Sequence, residues 1–77
     1  MFYTVDQYGV RFSEDKTELI MAPKTLSGDY VIPETVMEIH TSAFDSCKNL
    51  ERITLPNTIS KLGMGTFRCC ENLKTVI

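Results

Sequence analysis

The chain repeats itself with a period of 23 residues. Residues 31–39 align with residues 54–62 without a gap, and the correspondence continues through residues 40–53 and 63–76. The identical pairs are Pro33/Pro56, Thr35/Thr58, Phe44/Phe67, Cys47/Cys70, Asn49/Asn72 and Leu50/Leu73. A fixed period of this length is typical of a solenoid, because a unit so short must stack on its neighbours to bury its apolar face.

The apolar spacing inside the repeat predicts one coil per repeat. Leu50, Ile53 and Leu55 follow the leucine-rich-repeat pattern, in which each repeat adds one short strand to a parallel ladder. Pro33 and Pro56 occupy equivalent positions after these strands, and proline cannot donate a ladder hydrogen bond. The predicted fold is therefore mainly β: a leucine-rich-repeat solenoid with short parallel ladder strands. Phe44 and Phe67 are predicted to be its largest core side chains, one in each coil.

The longer motif resembles one family of such repeats. It reads Ile/Leu-Pro-x-Thr-Val/Ile and then Ala/Thr-Phe-x-x-Cys-x-Asn-Leu, which is similar to the BspA-like, or Treponema pallidum type, repeat. Residues 31–77 carry the resemblance, and residues 6–20 resemble the segment that often precedes repeats in these proteins. The resemblance implies a bacterial or protozoan protein, at the cell surface or secreted, that adheres to host or other cell-surface proteins.

Residues 1–28 are predicted to cap the solenoid at its N-terminus. β-rich segments at residues 2–5, 10–13 and 18–22 are separated by polar turns, which predicts a meander of β-hairpins followed by a connecting loop. Such an atypical terminal unit hides the apolar face of the first repeat. We expect residues 1–28 (cap and loop) and residues 29–77 (two repeats) to form one domain. Residues 75–77 fall in a ladder strand, which suggests a longer array.

Charges support the 23-residue register. Residues that are 23 positions apart should lie side by side in a parallel stack, where like charges destabilise and opposite charges stabilise. Within residues 29–77, every such pair in which both members are charged has opposite signs. These pairs are Asp29/Arg52, Glu38/Lys61, Asp45/Arg68, Lys48/Glu71 and Glu51/Lys74.

The composition disfavours nucleic acid and membranes as binding partners. Eight basic and ten acidic residues give a net charge of −2, so the chain lacks the basic footprint of a nucleic-acid binder. No segment approaches the roughly 20 apolar residues of a membrane span, and the first residues do not form a signal peptide. We therefore expect a protein ligand, no nucleic acid and no membrane insertion.

The reactive side chains are interpreted as structural. Three cysteines leave at least one thiol unpaired, and the close Cys-x-x-Cys spacing of zinc sites is absent. Cys47 and Cys70 are predicted to be reduced, buried and stacked, whereas Cys69 is predicted to be exposed. His40 corresponds to Gly63 of the other repeat and is predicted to be solvated in an outer turn. We expect no catalytic residue, no metal site and no cofactor.

Two further motifs also favour structural roles. Gly63-Met64-Gly65 lacks the additional glycine and the Lys-Ser/Thr pair of a phosphate-binding loop, so it is interpreted as a turn. Asn49 and Asn72 precede the ladder strands, where an asparagine side chain commonly bonds nearby backbone groups.

The exposed face of the ladder strands is the predicted binding surface. Inward positions alternate with outward ones, and the outward positions are Asp29, Val31, Arg52, Thr54 and Thr75. Three functions remain open: protein binding by this face, a rigid spacer with no ligand of its own, and an enzyme whose activity would be sensitive to thiol alkylation. The outer edge of the last strand, formed by Leu73, Lys74, Thr75, Val76 and Ile77, is a second predicted contact, through which the chain self-associates.

Overall fold

The computed structural model describes residues 2–77 and contains two β-sheets built from short strands. The strands are β1 (Tyr3–Val5), β2 (Arg11–Ser13), β3 (Glu18–Met21), β4 (Ser27–Val31), β5 (Glu38–Ile39), β6 (Asn49–Thr54), β7 (Lys61–Leu62) and β8 (Thr75–Val76). Residues 2–77 include no helix long and apolar enough to cross a membrane.

The two sheets form two walls of a solenoid. The ladder sheet contains β4, β6 and β8 in that order, and all its strands are parallel. The wall sheet has the order β1-β2-β3-β5-β7 and changes from antiparallel to parallel pairing at β3. Each repeat contributes one strand to each sheet, which confirms the predicted mainly β, leucine-rich-repeat solenoid.

The 23-residue register holds between the repeats. Arg52 pairs with Thr75 in the ladder sheet, and Glu38 pairs with Lys61 in the wall sheet. Between β4 and β6 the offset is 22 residues at Ser27 and becomes 23 after a bulge at Gly28. Gly28 has a φ of +70°, a conformation that glycine adopts without a steric penalty.

The N-terminal hairpins continue directly into the wall sheet. β1 pairs with β2 and β2 with β3 in antiparallel fashion, as the meander prediction requires. β3 then pairs in parallel with β5, with Leu19 opposite Ile39. Strand β3 therefore pairs with a hairpin strand on one side and with a repeat strand on the other. Its backbone hydrogen bonds join the N-terminal hairpins to the repeats.

The core lies between the two sheets and is densest beneath the first repeat (residues 31–53). Phe44, Cys47, Leu50 and Ile53 are fully buried, together with Phe12 from β2. In the second repeat (residues 54–76), Val76, the counterpart of Ile53, is 51% exposed, and the other apolar residues that face the core are only partly buried, because they lie at the end of the stack. These residues are Leu55, Ile59, Phe67, Cys70 and Leu73.

This difference corrects two sequence-based expectations. Phe67 is not a fully buried anchor equivalent to Phe44, and Phe12 is the other large aromatic side chain that is fully enclosed. Cys70 is likewise only partly buried, unlike Cys47. The sequence repeat makes the two coils look alike, but burial also depends on what covers each coil from outside.

Candidate functional site

The outer face of the ladder sheet gathers the five residues that the sequence singled out. The register places Asp29, Arg52 and Thr75 in one row across the three strands, and Val31 beside Thr54 in a second row. The alternate residues Tyr30 and Ile53 are buried, so the two rows face away from the core. Asp29, Val31 and Arg52 are exposed, whereas Thr54 and Thr75 are half-buried.

The two rows differ in chemistry. The row with Asp29 and Arg52 presents opposite charges on adjacent strands. The other row has an apolar residue at each margin, and both are exposed: Val31 is 67% and Ile77 63% accessible to solvent. Leu55 N donates to Ile77 O at 2.7 Å, which fixes Ile77 next to Thr54. Sequence reasoning missed Ile77 as a member of this face, although the 23-residue period places it opposite Thr54 and Val31.

A partly buried hydrogen bond on the inner side of β4 supports this face. The Tyr30 hydroxyl donates to Asp6 Oδ2 at 2.6 Å, and Asp6 Oδ1 accepts from the backbone N–H groups of Tyr8 and Val10. Desolvation of Tyr30, with a further contribution from the Asp6 carboxylate, raises the pKa of the tyrosine above its usual range. The hairpin segment therefore holds β4 in place through a polar contact that no sequence motif indicates.

The thiols of Cys47 and Cys70 donate hydrogen bonds to backbone carbonyl groups. Cys47 Sγ donates to Pro23 O at 3.5 Å, and Cys70 Sγ donates to Phe44 O at 3.0 Å. Burial raises the pKa of the Cys47 thiol to about 11, and it also raises the pKa of Cys70. A raised pKa disfavours the thiolate, which is the nucleophilic form. Cys69 is exposed, as predicted.

His40 is not simply solvated, which corrects the prediction made for it. Its Nε2 lies 2.7 Å from Glu18 Oε1, and the donor atoms of Glu18, Glu38 and His40 all lie within 4.8 Å of one another. Imidazole and carboxylate are ligand types that zinc accepts. All three side chains are partly exposed, and Glu38 also has Lys61 as its register partner. In the structure, the His40–Glu18 contact links β3 to the residue that follows β5.

Polar side chains of the second repeat bond the backbone of the first. Asn72 Nδ2 donates to Lys48 O at 2.8 Å, which confirms a structural role for this asparagine. Thr58 Oγ1 donates to Val36 O at 2.7 Å in an equivalent contact on the other side of the coil. The buried hydroxyl of Thr66 donates to Gly63 O within its own turn. The Asn72 and Thr58 bonds join the two stacked coils, whereas the Thr66 bond stabilises a single turn.

A recess lies outside the set of ladder-face residues. Its volume is about 510 Å³, and its lining includes Arg11, Met21, Lys24 and Asp45. The charged residues of its lining are Arg11, Lys24 and Asp45, so the recess carries both signs of charge. Its lining does not include any of the five predicted binding residues.

Comparisons with known proteins agree with this architecture. The family model described as the BspA type leucine-rich repeat region matches residues 24–77. No curated protein matches the chain.

Two solved structures share the fold. The crystal structure of the pneumococcal vaccine antigen PcpA is similar with a TM-score of 0.86 and 28% identity, covering 96% of this chain and 18% of that one. A leucine-rich repeat protein from Eubacterium ventriosum gives a TM-score of 0.83 and 26% identity, covering 96% of this chain and 22% of its own. The chain thus spans about a fifth of the length of each structure. Its repeats, its two-sheet coil and the family match show that it belongs to the BspA-type leucine-rich repeat family.

Proposed function

We propose that this chain is a protein-binding module whose contact surface is the outer face of the ladder sheet. The observation that carries the proposal is the placement of Asp29, Val31, Arg52, Thr54 and Thr75 in two parallel rows on one face. The family to which the chain belongs is a repeat family, and repeat solenoids use such extended surfaces for binding.

The chemistry of the two rows suits a folded protein partner. A partner could bury the apolar side chains of one row and form polar contacts with the charged side chains of the other. Protein interfaces combine these two kinds of contact. Backbone ladder bonds hold the rows before any partner arrives, so little conformational entropy is lost when one binds. A nucleic-acid partner is disfavoured, because the net charge is −2 and the face carries one acidic and one basic residue.

We further propose that the module acts at the cell surface or after secretion, in adhesion to host or other cell-surface proteins. Membership of the BspA-type family supports this location, as does the similarity to a pneumococcal vaccine antigen. Burial keeps the Cys47 thiol in its protonated form at neutral pH, which disfavours this cysteine as a nucleophile.

The test is binding to an array of immobilised extracellular and cell-surface proteins. The chain with Val31→Asp and Arg52→Glu alters one residue of each row, and the matched control carries Met37→Asp and Lys24→Glu at exposed positions away from the ladder face. We expect the first variant to lose at least about tenfold in affinity for any protein that the chain binds, because charged substitutions disrupt a desolvated contact. The control should bind as the parent does. Equal binding by both variants, or none by the parent, would favour the spacer hypothesis.

A second observation supports self-association. Strand β8 pairs only with β6 within residues 2–77, and the Val76 side chain beside its free edge is 51% exposed. An unpaired strand edge next to apolar side chains is a site where another chain can add. We propose that the isolated chain covers this edge, at residues 73–77, by forming a closed dimer, which is the commonest symmetric assembly.

A further inference from the structure

An imidazole and two carboxylates converge on the outer face of the wall sheet. His40 Nε2 lies 2.7 Å from Glu18 Oε1, and the donor atoms of Glu18, Glu38 and His40 all lie within 4.8 Å of one another. Leu19 and Ile39 are buried, so the residues that alternate with them face outward. Both β3 and β5 are interior strands of the wall sheet, and a neighbouring strand therefore fixes each of them on either side.

The two glutamates form an unfavourable pair. The register places Glu18 directly opposite Glu38, and like charges in this arrangement destabilise a sheet. Among the ion pairs within residues 2–77, none joins a lysine or an arginine to either carboxylate within 4.0 Å. The charged pairs related by the 23-residue period within residues 29–77 have opposite signs instead. A cation held between the two carboxylates would remove this repulsion.

The cluster has open space beside it. Glu38 and His40 line a recess of about 380 Å³, and Lys61 and Gly63 lie on its other side. Because Ile39 pairs with Leu62, the residue that follows β7 beside His40 is Gly63, which contributes no side chain next to the imidazole. A bound ion would therefore have room for water ligands in addition to the protein donors.

The donor set suits a zinc-class ion. Zinc accepts imidazole nitrogen and carboxylate oxygen at about 2.0–2.2 Å, so ligand atoms around a tetrahedral ion lie roughly 3.4 Å apart. The three side chains are partly exposed, and rotation about their own bonds can bring donors that already lie within 4.8 Å into this arrangement. On binding, His40 Nε2 offers its lone pair to the ion, and its proton moves to Nδ1 or is released to solvent.

We propose that Glu18, Glu38 and His40 form a binding site for one divalent cation of the zinc class, with water completing the coordination. The inference goes beyond the proposed function, which concerns the ladder face. The sequence predicted no metal site because Glu18 is 22 positions from His40 and lies outside the repeats. The ion joins the hairpin strand β3 to the first repeat, so it stabilises the folded chain.

The experiment measures zinc binding to the full chain by isothermal titration calorimetry, and thermal unfolding with and without zinc chloride. His40→Gln and Glu38→Gln each remove one ligand. Glu51→Gln is the matched control, because it removes an exposed carboxylate from the ladder sheet. Cys69→Ser controls for binding to the exposed thiol. Cobalt(II) in place of zinc reports thiolate ligands by their charge-transfer absorption.

We expect the parent to bind one zinc ion, and its melting temperature to rise by about 4 °C or more in a large excess of zinc. His40→Gln and Glu38→Gln should each weaken binding by at least about tenfold. The Glu51→Gln and Cys69→Ser variants should bind as the parent does. Lys61→Gln should bind about threefold more tightly, because it removes a positive charge from the recess.

Three results would overturn the proposal: no zinc binding by the parent, equal affinity in the parent and His40→Gln, or thiolate absorption in the cobalt complex. Circular dichroism without metal establishes that each variant is folded. If His40→Gln does not fold, Glu38→Gln and Lys61→Gln still decide the outcome, because the first must weaken zinc binding and the second must strengthen it.

Discussion

Tyr30 and Asp6, 24 positions apart in the chain, meet in a 2.6 Å hydrogen bond beneath the ladder sheet. Asp6 also accepts two backbone N–H bonds in its own turn, so one carboxylate both closes the first hairpin and holds β4. The exposed face of β4 includes Asp29 and Val31, the residues on either side of Tyr30 in the chain. The hairpin segment therefore does more than cover apolar surface, because it also fixes the strand that begins the candidate binding face.

Tyr30→Phe should lower the free energy of unfolding by about 1.5–3 kcal/mol, the usual range for a hydrogen bond to a charged group. The aromatic packing is preserved in this variant, so the loss reports the bond to Asp6. Urea unfolding measures the change. Tyr8→Phe is the matched control, since the Tyr8 side chain is exposed and its ring packs edge-on against Tyr30 at 5.7 Å. Equal losses in the two variants would contradict a role for the buried hydroxyl.

Phe44→Ala and Phe67→Ala should differ, although the repeat makes the two residues equivalent. Phe44 is fully buried, and its truncation should cost about 3–5 kcal/mol, enough to unfold a small domain. Phe67 stacks on Phe44 with a centroid distance of 5.6 Å but is partly exposed, so we expect a smaller cost. Circular dichroism during thermal unfolding provides the comparison. A larger loss for Phe67→Ala would mean that the end of the stack is covered in solution.

Gly63→Ala should be strongly destabilising because the two coils touch there through their backbones. A Cβ atom at Gly63 would lie 2.6 Å from Thr41 Cα and closer still to Thr41 N. Backbone atoms cannot yield as a flexible side chain does, so we expect a loss of about 3 kcal/mol, at the upper end for overpacking. Gly65→Ala is the control: its Cβ meets no heavy atom closer than 3.6 Å, and its φ of +64° should cost about 1–2 kcal/mol. A milder effect at Gly63 than at Gly65 would refute the close approach.

Stability should decrease as the pH rises above 9. The pKa of Cys47 is raised from 9.0 to about 11 by burial, so the unfolded chain loses this proton at lower pH than the folded chain. The stabilisation that results is complete below pH 9 and is lost as the pH rises towards 11. One unit of pKa corresponds to about 1.4 kcal/mol. Urea midpoints measured from pH 8 to pH 11 test this, with Cys47→Ala as the control. An unchanged slope in the Cys47→Ala variant would exclude Cys47 as the cause.

Sedimentation velocity at micromolar concentration should detect dimers of the isolated chain. The expected contact is the free edge at residues 73–77, where apolar side chains lie beside unpaired backbone groups. Val76→Lys should shift the population towards monomer, because a lysine on an edge strand opposes further pairing. Met64→Lys is the matched control at an exposed apolar position in the outer turn. A purely monomeric parent would rule out the self-association proposal.

The coil fold and the position of the candidate face could be derived from the sequence because both follow from periodicity. A 23-residue repeat determines which residues are lateral neighbours, as the Arg52–Thr75 and Glu38–Lys61 pairs show. Period-2 alternation determines which side of each ladder strand is exposed, and this placed Asp29 and Arg52 outward. Neither inference requires knowledge of distant contacts.

The differences between equivalent residues were decided by the tertiary structure. Phe44 and Phe67 have the same sequence context, but one lies between two coils and the other at an end, so only Phe44 is fully buried. His40 meets Glu18, and Asp6 meets Tyr30, across long stretches of chain in which no repeat relates the partners. A period specifies neighbours that recur in every coil, whereas a contact that occurs once depends on how the non-repeating hairpins fold against the stack.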